Sequence, residues 1–320
     1  MKVIQTKTAN KTVNHYMLLD LEPLNVGDTM AFDVFIKKSN NYIIIIEAGT
    51  YLSESLYAKL EKQPSLYIFK KDKEKLEITC ESLKYYVKYN RDNNEKRIEF
   101  IYKINNKLFS DFIENKYNKI DLECVTLIIK SILYLVKYDT SFLKNTIPHF
   151  IEDNSLSNHS LHVTIYAMSL GNSLHLNTKK LIQMGTAALL HDLGIKKVDE
   201  SLIKKDSKLE ISELEEVQKH VLYSIDIIKQ NNIHDPYILD AVMHHHEKYD
   251  GNGYPEKLEQ DEIGIFASIL AICDVFDALT SNRPHRKQYT SFEAIKMMLK
   301  DESMVNKFNR NYLQLLLRSI

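Results

Sequence analysis

Side chains able to hold metal ions recur at near-regular intervals through the second half of this 320-residue chain. They are His159, the pair His191 and Asp192, His220, the pair His245 and His246, and Asp274. The successive gaps, counted from His159, His191, His220 and His246, are 32, 29, 25 and 28 residues. Each gap is about one helix and a connection. The pattern therefore predicts five successive helices, each carrying one or two such groups towards a common centre. A chain built this way folds into a helical bundle with a polar heart.

Imidazole nitrogen and carboxylate oxygen suit borderline divalent metals such as iron, manganese, zinc or cobalt. Neighbouring residues on a helix diverge by roughly 100°. A His-Asp pair can then face two ions, with the carboxylate shared between them. Two ions roughly 3.5–4 Å apart can brace both the entering and leaving oxygens of a phosphoryl group. Single histidines do not carry this weight, and His162, His175 and His234 read as structural or exposed. His191 and Asp192 alone would serve equally as a helix-end cap. The triple His244, His245, His246 is different, because it follows the apolar Ile238, Leu239, Ala241, Val242 and Met243. Buried imidazoles without partners are costly.

The loop that follows, DGNGYP, has its own demands. Gly251 and Gly253 allow positive φ and close backbone approach, Asp250 can satisfy turn amides, and Pro255 stiffens the exit. Tyr254 is then presented towards a base or phosphate; the alternative is a plain surface turn. Arg283 and Arg286, in SNRPHRK, can grip phosphate in a bidentate manner, or form an ordinary basic loop.

The rest of the chain frames this region. A formal net charge of −1 excludes a global field for nucleic acid or anionic lipid. The three cysteines, Cys80, Cys124 and Cys273, show no CxxC spacing, so a reduced cytoplasmic protein is expected. The N-terminus lacks an apolar signal region. The apolar run Cys124–Val136 is short and broken by Lys130, which predicts a buried helix and no membrane span. Residues 1–80 read as a small α+β regulatory domain, with strands in YMLLDL, MAFDVFI, YIIIIEA, SLYIF and LEIT. Among them sits a helix, SESLYAKLEKQ, which Ser53 could cap, with Leu56, Leu60 and Tyr57 on one face. Residues 81–150 read as helical connecting segments, and residues 151–320 as the domain that carries the chemistry.

From Asn154 to Leu317 the sequence resembles the HD-GYP family of metal-dependent cyclic di-GMP phosphodiesterases. The resemblance rests on HSLHV, AALLHDLG, KHVLYS, HHEKYDGNGYP, ILAICDVFDALTSNRPHR and SFEAI, in the family's order. It implies an α+β N-terminal domain followed by an all-α HD-domain bundle. It further implies one ion on His159, His191, Asp192 and Asp274, and a second on His220, His245 and His246. Asp192 bridges them as the catalytic residue, and His244 is extra. Tyr254, Gly253, Arg283 and Arg286 would contact cyclic di-GMP, which is opened to the linear dinucleotide and onward to GMP. The family implies two divalent ions, iron or manganese ahead of zinc. It allows a homodimer or signalling-protein partners, and implies no nucleic acid polymer.

The sequence also departs from the family. A lysine that touches the scissile phosphate is replaced by Ile195, with Lys196 one residue late but able to compensate if the chain turns at Gly194. Ser155 stands where some members place a Glu for a third metal. Ser268 and His162 replace common arginines, and Phe308-Asn309-Arg310 replaces Phe-Asp-Pro. Loss of one such phosphate contact typically lowers rate by about 10²–10³. Two further readings stand beside the active phosphodiesterase: a catalytically weak cyclic di-GMP sensor, favoured by Ile195, and an HD-type hydrolase of another nucleotide.

Overall fold

A computed structural model of the chain describes residues 15–21, 24, 29–39, 41–75, 94–114, 118–139, 155–205, 207–282 and 287–319. The expected LEIT strand, Cys80, the helical stretch at 81–93, residues 140–154, Arg283 and Arg286 lie outside them. The chain divides into two compact units, residues 1–107 and 108–320.

The first unit is built on a four-stranded antiparallel sheet, with β1 Tyr16–Leu18, β2 Val34–Lys38, β3 Asn41–Ile46 and β4 Tyr67–Phe69 in the order β1-β4-β2-β3. Helix α1, Glu54–Glu61, starts where expected, with Ser53 Oγ accepting from Leu56 N at 3.3 Å. Leu60 is buried with Met30, Val34, Ile46, Leu52 and Ile68, and Leu56 and Tyr57 pack against this cluster. Alternation along the strands puts Tyr16, Phe35, Tyr42, Tyr67 and Phe69 into a separate, mutually packed aromatic group. Helix α2, Asn94–Glu114, leads out of this unit.

The second unit is helical. Helix α3, Leu122–Tyr138, starts at the Asp121 cap and buries Ile128, Ile129, Ile132 and Leu135, the expected apolar run. Cys124 on it is disulfide-bonded, which departs from the expectation of reduced cysteines, while Cys273 is free and buried. Helix α4, Leu156–Ser173, is buried over most of its length and is the unit's central element. Ser155 is its cap, accepting from Asn158 N at 3.3 Å. Helices α3, α5 (Thr178–Leu190), α10 (Ile265–Thr280) and α12 (Arg310–Ser319) pack around it. Between α5 and α10 lie a 3-10 turn, Leu193–Lys197, and helices α6 (Glu200–Ile203), α7 (Ile211–Gln218), α8 (His220–Gln230) and α9 (Pro236–His244). Asp235 caps α9 ahead of Pro236. Helix α11, Ser291–Lys300, begins with a Thr290–Glu293 capping box. Among the described residues, no helix is long and apolar enough to cross a membrane.

Gly194 fixes the approach of the 3-10 turn to α8. Its N–H donates to Ser224 Oγ at 2.8 Å. A Cβ there would lie 2.0 Å from His220 O and 2.5 Å from Ser224 N, both backbone atoms. Such a clash cannot relax by a side-chain rotation. Gly194→Ala is expected to cost about 1–3 kcal/mol through overpacking. Thermal unfolding checks this, and a melting temperature equal to that of the unsubstituted chain would show that the contact is not tight.

Candidate metal centre

One correction to the sequence reading concerns where the histidines sit. His159 and Asp274 lie within helices α4 and α10, as expected. His191 and Asp192 instead follow the last residue of α5, and His245 and His246 follow the last residue of α9, while His220 is helical as expected, the first residue of α8 and two residues past the end of α7. The physical reason lies in the backbone. The last turn of a helix leaves carbonyls without intrahelical partners. His191 Nδ1 donates to Ala188 O at 2.7 Å, His220 Nδ1 to Val217 O at 2.8 Å, and His245 Nδ1 to Val242 O at 2.7 Å. Each carbonyl belongs to the residue three positions earlier. A carbonyl only accepts, so the proton is held on Nδ1 and Nε2 is left as a lone pair. A fourth ring, His159, donates Nδ1–H to Asp277 Oδ2 at 2.8 Å.

These Nε2 atoms converge on two carboxylates. Asp192 Oδ2 lies 3.5 Å from His191 Nε2 and 3.8 Å from His159 Nε2, while Oδ1 lies 3.2 Å from His220 Nε2 and 3.5 Å from His245 Nε2. One carboxylate thus faces two groups of ligands with its two oxygens. Asp274 repeats the arrangement, with Oδ1 3.3 Å from His159 Nε2 and Oδ2 3.8 Å from His246 Nδ1. His246 Nε2 faces His220 Nε2 at 3.2 Å.

The donor set fits divalent cations. His159, His191 and Asp192 form one group with ligand atoms within 4.8 Å of one another, and Asp192, His220, His245 and His246 form another. The Nε2 atoms of His191 and His245 and Oδ1 of Asp192 are buried without a hydrogen-bond partner. Buried polar atoms left so are costly, and a shared cation satisfies all three at once.

In the metal-free site the imidazoles divide, with His191 and His246 lowered and His159 and His220 raised. Burial pushes the His191 imidazole down to about 4 and holds His246 well below its ordinary value, so both are neutral donors. Burial also acts on His159, but its bonds to Asp274 and Asp277 hold it well above the usual range. Burial works to raise Asp192, yet its electrostatic interactions with the surrounding His191, His220 and His245 rings keep it well below the ordinary carboxylate value. Asp274 is likewise lowered against its burial, chiefly by His159.

Around the centre, Tyr254 stacks on His246, with ring centroids 4.7 Å apart at 29°, and its phenol is pushed up by burial and by the charges of Asp192 and Asp274. Gly251 takes the positive φ of 71°. Gly253 serves the close approach: a Cβ would stand 2.4 Å from Glu247 Cα and from Lys248 N. Glu247 holds this loop, its Oε1 accepting from Glu256 N at 2.7 Å and Lys257 N at 2.9 Å. Sequence reading gave Glu247 no role, although its place directly after the histidines marks it. Lys196 does not fill the place left by Ile195: its Nζ donates to Phe112 O at 2.7 Å and lies over the Phe112 ring. His175 and His234 are exposed, whereas His162 is buried and its Nδ1 bonds Asp277 Oδ1 at 2.9 Å.

Asp277 is the other residue that went unassigned. Burial acts to raise it, and its bonds to His159 and His162 bring it down to about 2. A carboxyl whose folded value lies below its ordinary 3.8 adds stability above that value and loses it as pH falls through about 2. In metal-free protein, the gap in melting temperature between the unsubstituted chain and Asp277→Asn is therefore expected to narrow as pH falls from about 4 to about 2. A gap independent of pH across that window would contradict the assignment.

The chain is similar in sequence to several proteins named as cyclic dinucleotide phosphodiesterases. The cyclic di-GMP phosphodiesterase PA4108 of Pseudomonas aeruginosa is 35% identical over 140 residues, 44% of this chain and 34% of that protein. The cyclic di-GMP phosphodiesterase PdeB of Borreliella burgdorferi is 28% identical over 51% of this chain and 42% of its own. The 3'3'-cGAMP-specific phosphodiesterase 3 of Vibrio cholerae is 34% identical over 44% of this chain and 30% of its own. The chain thus spans under half the length of these curated relatives. Among solved structures, Bd1817, a HDG"Y"P protein from Bdellovibrio bacteriovorus, shares the fold with a TM-score of 0.59 at 17% identity, covering 94% of this chain and 98% of its own. A family model described as an HD domain matches residues 140–308. That match covers more than half of the chain, and with the His191–Asp192 pair at the centre of the site, the chain belongs to the HD-domain family.

Proposed function

We propose that this chain is a metal-dependent phosphodiesterase acting on cyclic dinucleotides, with cyclic di-GMP the leading substrate. The observation that carries the reading is the division of Asp192 between two sets of imidazole lone pairs. In it, His159, His191, Asp192 and Asp274 hold one divalent ion, and Asp192, His220, His245 and His246 the other. An ion pair so bound supplies positive charge to the phosphoryl oxygens and lowers the pKa of water. The nitrogen-and-oxygen donor set suits borderline divalent ions, and the resemblance to HD-GYP proteins puts iron or manganese ahead of zinc. The names of the relatives support cyclic di-GMP or 3'3'-cGAMP as substrate.

The protein's own residues have defined tasks in this reading. Asp192 and Asp274 keep negative charge inside a buried site and hold both halves in register. The carbonyls behind His191, His220 and His245 keep those rings from rotating. Tyr254 forms the wall beside His246 where a base or ribose would rest, and Gly253 lets the loop carrying it close on Glu247. Arg283 and Arg286 supply the phosphate clamp. Water adds to phosphorus, the bond to the 3' oxygen breaks, and that oxygen takes a proton. The product is the linear dinucleotide, which a second hydrolysis converts to GMP.

A second reading, a cyclic di-GMP sensor with feeble turnover, is favoured by one observation. Ile195 replaces a cation, and Lys196 is engaged with Phe112. Anaerobically purified protein loaded with iron or manganese, assayed on cyclic di-GMP and 3'3'-cGAMP, separates the two. The enzyme reading predicts steady turnover that Asp192→Ala abolishes. Tight binding without turnover supports the sensor, and Ile195→Lys should then raise the rate by about 10²-fold or more, the value of one phosphate-contacting donor. Neither binding nor turnover of either dinucleotide would overturn both readings.

A further inference from the structure

We infer that Asp277 is a positioning residue that decides the occupancy of one half of the metal centre, and that it does so through the tautomer of His159. The inference rests on the metal-centre reading above. Three imidazoles of the site are anchored by backbone carbonyls, which no substitution removes. His246 faces Asp274 and His220 instead, and His159 is the other exception. It lies within α4, where the carbonyls are engaged in the helix, and a side chain anchors it instead.

Asp277 is one helical turn beyond Asp274 on α10 and is 3% exposed. Its two oxygens have different duties. Oδ2 accepts from His159 Nδ1 at 2.8 Å. Oδ1 accepts from His162 Nδ1 at 2.9 Å and from Ser281 Oγ at 3.3 Å. The α10 helix therefore supplies both a carboxylate facing His159 Nε2, from Asp274 at 3.3 Å, and the one that holds the opposite nitrogen of the same ring. A metal-facing histidine whose other nitrogen donates to a carboxylate is fixed in orientation and made more basic, and losing such a partner typically weakens metal affinity about 10–100-fold.

The asymmetry of Asp277 makes the outcome of an isosteric change predictable. In Asp277→Asn the amide oxygen stays on the side of two donors, His162 and Ser281. The amide nitrogen then faces His159 Nδ1, and two N–H groups cannot oppose each other. His159 shifts its proton to Nε2, the atom directed at Asp192 and Asp274, and can no longer ligate there. His220 and His245 keep their carbonyl anchors, and His246 still faces Asp274 and His220.

Full-length protein is titrated with manganese, with bound metal measured by elemental analysis and the coupling between ions read by electron paramagnetic resonance. The unsubstituted chain is expected to take two coupled ions. Asp277→Asn should keep one at full affinity and bind the other about 10–100-fold more weakly, so that an isolated six-line signal replaces the coupled one. Two ions bound by the variant within threefold of the original affinities would overturn this inference alone. Equal weakening of both ions would also overturn it. Failure of the unsubstituted chain to bind two ions would overturn the metal-centre reading and this inference with it. If the variant does not fold, nitrogen NMR of histidine-labelled, zinc-loaded unsubstituted protein decides: a proton on His159 Nδ1 supports the assignment, and one on Nε2 overturns it.

Discussion

Free carbonyls at helix ends are the constraint on which the centre is built. A helix that stops just before a histidine offers an acceptor three residues back, and the imidazole satisfies it with Nδ1–H. His191, His220 and His245 all do this, and all three then aim an unprotonated Nε2 inward. The same bond ends the helix cleanly, fixes the ring and selects the tautomer. The glycine that follows His191 and Asp192 completes the geometry, because Gly194 lets the turn press against the start of α8, where His220 is presented.

Burial turns this geometry into chemistry. Desolvation alone would neutralise Asp192 and Asp274, yet the surrounding imidazoles keep both ionised. The result is a compact negative centre facing lone pairs that the protein itself leaves unpaired. Such a site is unfavourable when empty of positive charge and is suited to cations. The outer pieces serve access and shape: Glu247 ties down the loop that carries Tyr254, and Tyr254 covers one face of His246.

Much of this was legible in the sequence because ligand spacing matches helix-plus-connection length, and because β-favouring runs marked the strands and Ser53 the cap of α1. The seven proposed ligands come together in space, with Asp192 between the two groups. What spacing does not resolve is a shift of one or two residues. It could not tell a histidine inside a helix from one just beyond its end, and here that difference determines the tautomer. Asp277 escaped notice because a lone polar residue on an apolar helix has many ordinary uses. Its three-residue spacing from Asp274, which sets both on one face, was the available signal. The same limit hid the partner of Lys196, since Phe112 is distant in sequence and neither residue type specifies the pair.

The central claim is that one carboxylate, Asp192, stands between two ions held by separate sets of imidazoles. Anomalous X-ray scattering from crystals grown with manganese or iron tests it most directly. The account predicts two peaks roughly 3.5–4 Å apart, with one oxygen of Asp192 on each, His159 and His191 beside one peak and His220, His245 and His246 beside the other. A single peak, or ions bound without Asp192 between them, would contradict it.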